Sequence, residues 1–140
     1  MAEVLNGCWK CVAAENMEEL LKAQGVSWTA RTAASAFGYG VGKAKQTLTI
    51  AGKSVTIKME GQSTIEGSFE ADGSTVDLFT PDGSTKKGTA TIEGDKLILN
   101  IEGTVITREV ADGKLKMTIV FKDVTAIRMH EKQHEHESQT

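Results

Sequence analysis

Beyond Gly42 the apolar residues show no helical period, and short apolar runs are cut at regular intervals by turn-forming residues. The turn signals fall at Gly52-Lys53, around Gly61, and at Asp72-Gly73, Asp82-Gly83, Gly94-Asp95, Glu102-Gly103, Asp112-Gly113 and Lys122-Asp123. A spacing of about 8–12 residues is that of a closed or sandwiched antiparallel sheet. These eight turns separate nine strands. A tenth precedes them over about Leu5 to Ala14, where Leu5, Gly7, Trp9 and Cys11 alternate with polar or small residues. Then the period changes. Met17, Leu20, Leu21 and Ala23 keep a helical spacing, Glu15-Asn16 supply a start signal, and Glu18 and Glu19 sit in the first turn against the positive end of the helix dipole. Gly25 stops this helix, and a second, alanine-rich one spans about Trp28 to Phe37 before Gly38, Gly40 and Gly42 end it. The run of two-residue turns favours an up-and-down meander over a Greek key. A ten-strand meander that closes is wide enough for a cavity, since eight strands already admit a small ligand.

Register follows from the turns. Asp112-Gly113 between alternating apolar runs is the strongest hairpin signal in the chain. It pairs Val110 with Leu115, Glu109 with Lys116 and Arg108 with Met117. The Lys122-Asp123 turn pairs Phe121 with Val124, Ile119 with Ala126 and Met117 with Arg128. Arg108, Met117 and Arg128 therefore form one row across three strands. That row shares its face with Ile106, Val110, Leu115, Ile119, Phe121 and Ala126. The Glu102-Gly103 turn adds Leu97, Leu99 and Ile101 to the same face, and Gly94-Asp95 adds Ala90 and Ile92.

Two arginines thus point into an apolar interior, their backbones about 10 Å apart, so that both side chains reach one small anion. Glu109 pairs outward with Lys116, and no acidic residue shares the inner face of these strands. A buried guanidinium without a counter-charge is expensive. The missing counter-charge is read as a ligand, most simply a carboxylate with an apolar body.

Composition narrows the class. The 140 residues suit one domain, 39% apolar residues suffice for a core, and a formal net charge of -3 argues against a nucleic-acid partner. The chain has no signal-peptide pattern and no apolar run of membrane-spanning length, so a cytoplasmic location, or a nuclear one, is expected. Cys8 and Cys11 lie on opposite faces of the first strand and read as ordinary reduced thiols. Trp9 and Trp28 read as packing residues. The Gly38-Tyr39-Gly40-Val41-Gly42-Lys43 stretch lacks the spacing of a phosphate loop and follows a helix instead of preceding one. No serine or cysteine is placed beside a histidine and an acid, and no metal-ligand spacing falls inside the sheet, so no catalytic residue, metal or cofactor is expected. The polar tail from 133 to 140, with His134 and His136, reads as solvated.

Several segments resemble the intracellular fatty-acid-binding protein family, which includes the cellular retinoid-binding proteins. Leu5-Asn6-Gly7-Cys8-Trp9-Lys10 resembles its opening strand. Glu15-Asn16-Met17, Leu21-Lys22-Ala23-Gln24-Gly25-Val26 and Thr29-Ala30-Arg31 resemble its helix-turn-helix. Thr107-Arg108-Glu109-Val110-Ala111-Asp112-Gly113-Lys114 resembles the hairpin of strands eight and nine, and Val124 to Lys132 the last strand. The resemblance implies an all-β, ten-stranded antiparallel up-and-down barrel over residues 1–132, with a helix-turn-helix lid at about 16–37, holding one long-chain acid. The family's Arg-x-Tyr pair and second arginine fall on Arg128, His130 and Arg108, with histidine where tyrosine is usual. Retinol carriers have glutamines at the arginine positions, so an acid is favoured over an alcohol. Retinoic acid, or a structural role at membrane surfaces, are the alternatives. The resemblance also implies a portal between the second helix at about Ala30 to Phe37, including Ala34 and Phe37, the turn near Gly61 with Ile65 beyond it, and Asp82-Gly83, while Met17, Leu20, Met117 and Ile119 read as cavity wall or simple core. Only Arg31 is basic in that helix, so at most transient membrane contact is expected of a monomeric carrier.

Overall fold

The computed structural model describes residues 2–61, 63–80 and 84–133. A short 3-10 turn, Ala2–Leu5, precedes strand β1, Gly7–Glu15. Two helices follow, α1 at Met17–Ala23 and α2 at Trp28–Ala36. The remaining strands are β2 Lys45–Ala51, β3 Ser54–Glu60, β4 Thr64–Glu70, β5 Asp72–Phe79, β6 Thr85–Glu93, β7 Lys96–Ile101, β8 Thr104–Ala111, β9 Lys114–Phe121 and β10 Val124–Gln133. All pair antiparallel in one ten-stranded sheet of order β4-β3-β2-β1-β10-β9-β8-β7-β6-β5. The β1–β10 pairing makes it a nearly closed barrel, with a seam between β4 and β5 that carries no ladder. Among the described residues no helix is long and apolar enough to cross a membrane.

The predicted register of the last four strands is the observed one. Arg108 faces Met117 on β9, Met117 faces Arg128 on β10, and Leu97 on β7 faces Arg108. The turn residues Glu102, Asp112 and Lys122 each adopt positive φ with the glycine or aspartate beside them completing a two-residue loop. Such loops leave one register available, which is why counting outward from them succeeds.

Three expectations are corrected. Asp72-Gly73 does not join two paired strands: the chain crosses the seam at Ala71, and Asp72 already belongs to β5. The Asp72 carboxylate accepts from the backbone N and Oγ of Ser74, at 3.0 and 2.6 Å, so the turn signal marks a bulge where the β5–β6 register slips between Asp72 and Thr75. Trp28 is not a packing residue, being 71% exposed at the start of α2. Gln133, expected in the tail, closes β10 opposite Cys8. Asp82-Gly83, His134 and His136 lie outside the described residues.

Apolar residues fill the barrel in two clusters. The larger joins Leu5 of the 3-10 turn to Trp9, Leu48, Ile57, Leu78, Leu97 and Leu115 from strands around the sheet. The smaller joins Leu20 of α1 to Met117, Ile119 and Ala126, with Met17 and Phe121 against it. Through it the first helix is fastened to the barrel. α2 buries no residue fully and is tied to α1 by Arg31, which bonds Glu18 at 3.2 Å and the Val26 carbonyl at 2.8 Å.

Candidate functional site

Among the described residues the buried polar side chains are Gln46, Arg108 and His130, 1%, 3% and 1% exposed, whereas Arg128, expected to be as buried as Arg108, is half-buried. Strand parity brings them together. Arg108 points inward from the middle of β8. His130 lies two residues beyond Arg128 on the same face of β10, opposite Leu115 on one side and Cys11 on the other. Gln46 alternates with Leu48 and Ile50 on the inner face of β2, opposite Trp9.

Gln46 is the hub. Arg108 donates through Nε to Gln46 Oε1 at 2.8 Å, and Gln46 Nε2 lies 3.0 Å from His130 Nε2 and 3.7 Å from the sulfur of Met117. Arg128 donates through Nη2 to the Tyr39 carbonyl at 3.1 Å. Among the described residues three buried nitrogens are left over: Arg108 Nη1, Arg128 Nε and His130 Nδ1 have no hydrogen-bond partner there. Among the described residues no carboxylate lies within ion-pairing distance of either arginine.

The electrostatics follow from this geometry. Burial, and then the charge of Arg128, push Arg108 down to about 10, so it remains a cation at neutral pH. Burial, and then Arg128, push His130 down to about 4; the carbonyls of Leu115 and Arg128 oppose the shift without overcoming it. At pH 7 the cluster therefore holds two cations and a neutral imidazole, and it attracts an anion.

Arg128 also meets the lid. Its guanidinium lies against Gly40, where a Cβ would come within 2.8 Å of Nη2, and Gly40 has φ +86°. The preceding Tyr39 is itself left-handed, at φ 53°, and its hydroxyl donates to Glu18 at 3.2 Å. The segment that ends α2 is thus held between half-buried Arg128 of β10 and the first helix.

The other predicted residues fall in two groups. Met17, Leu20, Met117 and Ile119 meet in the apolar cluster beneath α1. Ala34, Phe37 and Ile65 are half-buried; Phe37 approaches Gly61, and Ile65 faces Met59 across β3 and β4. A cleft of about 520 Å³ between the helices is lined by Glu18, Trp28, Arg31 and Tyr39 and holds none of the head-group residues. Gln46 was not anticipated. Its signal was present, a polar residue on the strand face otherwise formed by Leu48 and Ile50. Among the described residues no group of three or more metal-binding side chains occurs.

No family model matches the chain. It is 32% identical over 138 residues to fatty acid-binding protein 9 of Homo sapiens, covering 94% of this chain and 99% of that protein. It is 33% identical over 137 residues to the adipocyte fatty acid-binding protein of Pygoscelis papua, covering 94% and 99%. It is also 32% identical over 136 residues to sodium/calcium exchanger regulatory protein 1 of Doryteuthis pealeii, covering 94% and 98%. Among solved structures it resembles the REP1-NXSQ fatty acid transporter, with a TM-score of 0.81 and 31% identity over 93% of this chain and 96% of that one. The Schistosoma mansoni fatty acid binding protein in complex with arachidonic acid gives a TM-score of 0.82 and 27% identity, covering 95% and 98%.

Proposed function

Because this chain belongs to the fatty acid-binding protein family, we propose that it carries a long-chain fatty acid, or a similar hydrophobic carboxylate, inside the barrel. Arg108 and Arg128 hold the carboxylate, and His130 provides a third contact. One observation supports this reading above the rest: buried Arg108 and half-buried Arg128 each keep a buried nitrogen without a hydrogen-bond partner, and among the described residues no carboxylate pairs with either. A carboxylate supplies the acceptors and the charge together.

The tail and the head have different roles. Burying about 14 methylenes at about 0.8 kcal/mol each sets an upper limit of about 11 kcal/mol. Ordering the tail takes back part of this, and micromolar to nanomolar binding corresponds to about -8 to -12 kcal/mol. Most affinity therefore comes from the apolar wall, and the arginines select and orient the head. Ala34, Phe37 and Ile65 border the entrance, and the glycines after α2 are its hinge. The protein acts as a cytoplasmic monomer without catalytic activity. The membrane-surface alternative is disfavoured by Arg31, the one basic residue of α2, whose guanidinium is engaged by Glu18 and Val26.

Native mass spectrometry of protein purified without added lipid tests the reading. The expected result is an adduct in the fatty-acid mass range that is lost on denaturation. A protein that emerges bare, and that takes up no fatty acid when one is added, contradicts it.

A further inference from the structure

We infer that Gln46 preserves the acid specificity that the two arginines give this site, by satisfying Arg108 without neutralising it and by fixing the tautomer of His130. The inference rests on the carrier reading above and deepens it.

A guanidinium has donors and no acceptor. The Gln46 atom 2.8 Å from Arg108 Nε is therefore the amide oxygen, and the atom facing His130 is the amide nitrogen. That nitrogen only donates, so His130 Nε2, 3.0 Å away, must be the acceptor and carry no proton. A neutral imidazole then has its proton on Nδ1, the atom left without a partner. The second amide hydrogen of Gln46 turns to Met117 sulfur at 3.7 Å. Every donor–acceptor choice in the cluster thus follows from one fact, that Arg108 cannot accept.

The side-chain groups this leaves for a ligand are donors: Arg108 Nη1, Arg128 Nε and His130 Nδ1–H, the last on a ring that the carbonyls of Leu115 and Arg128 also approach. A carboxylate accepts from such donors and carries the missing charge, whereas an alcohol answers neither need in full. Gln46 keeps the site in this state because an amide is neutral. A glutamate at the same position would accept from Arg108, cancel one positive charge and draw the His130 proton to Nε2. Gln46 is therefore a positioning residue, acting through Arg108 and His130.

Two measurements test this. In the ligand-free wild-type protein, long-range proton–nitrogen NMR correlations of His130 are expected to show Nδ1 protonated and Nε2 bare; protonated Nε2 overturns the assignment. Calorimetric titration with a saturated fatty acid and the alcohol of equal chain length then compares wild type with Gln46→Glu and Gln46→Leu. Gln46→Glu is expected to lower the acid-over-alcohol preference by about 100-fold and to move the His130 proton to Nε2. Gln46→Leu keeps both cations and is expected to retain a preference for the acid while losing the tautomer bias. A Gln46→Glu protein that folds and keeps the wild-type preference overturns the inference. Should Gln46→Glu fail to fold, the wild-type tautomer and the Gln46→Leu tautomer decide. Wild-type protein that binds the acid but shows the other tautomer sinks the Gln46 role alone; wild-type protein that binds neither lipid sinks the carrier reading and this inference with it.

Discussion

Replacing Arg108 with methionine is expected to stabilise the ligand-free protein while removing much of its affinity for a fatty acid. In the folded state the guanidinium is buried among Leu97, Met117 and Gln46, and its pKa is pushed down to about 10 by burial first and Arg128 second. Holding that charge costs about 3 kcal/mol. Methionine matches the shape and removes the charge, at the cost of leaving Gln46 Oε1 without its donor, about 1–2 kcal/mol. Urea unfolding should therefore show a net gain of about 1–2 kcal/mol. Calorimetric titration should show acid binding weakened by about 2–5 kcal/mol, since the ligand's carboxylate loses a buried charged partner. Arg128→Ala should lose acid affinity in the same range. A stability loss at Arg108→Met combined with full acid affinity would mean that the charge serves the fold and not a ligand.

A second large effect concerns pH. His130 is neutral when folded and titrates at about 4, against 6.5 for an unperturbed histidine. Its ring meets Gln46 Nε2 at 3.0 Å and feels Arg128, Arg108 and the backbone carbonyls of Leu115 and Arg128, none of which supplies a net negative charge. Between these two values the unfolded chain binds a proton that the folded protein does not. Stability is therefore fully present above about pH 6.5 and declines as pH falls toward 4, with about 3 kcal/mol lost in all from this residue. Carboxylates add their own acid sensitivity, so the comparison is with His130→Gln. Denaturant unfolding at pH 7 and pH 4 should give a smaller drop in the variant, by about 3 kcal/mol. Equal drops would mean that His130 is protonated as readily in the fold as outside it.

The sequence carried most of the barrel because its hairpins are short. Between Gly94 and Asp123 each turn has two residues, so pairing partners follow by counting, and the row of Arg108, Met117 and Arg128 could be placed from the chain alone. Counting failed where connections are longer or serve another purpose. Gln46 reaches the arginines only through β1 and the helical lid, a connection with no fixed register to count across, so its place beside Arg108 was hidden. At Asp72-Gly73 the same dipeptide type that makes hairpins elsewhere builds a bulge held by Ser74, because β4 and β5 separate at the seam. Trp28 shows the limit of composition: a large apolar residue reads as core, yet the first position of α2 leaves it in solvent.

The most direct test places a spectroscopic label on the ligand's head. A fatty acid enriched in carbon-13 at its carboxyl carbon is bound to the wild-type protein, and the bound signal is followed from pH 8 to about pH 4.5. Two guanidinium groups beside it lower a carboxyl pKa by about 1–3 units from its ordinary value of about 4.3, so the signal should stay at the ionised position throughout. A bound carboxyl that begins to protonate as a solvent-exposed one does would place the head group away from Arg108 and Arg128 and contradict the account.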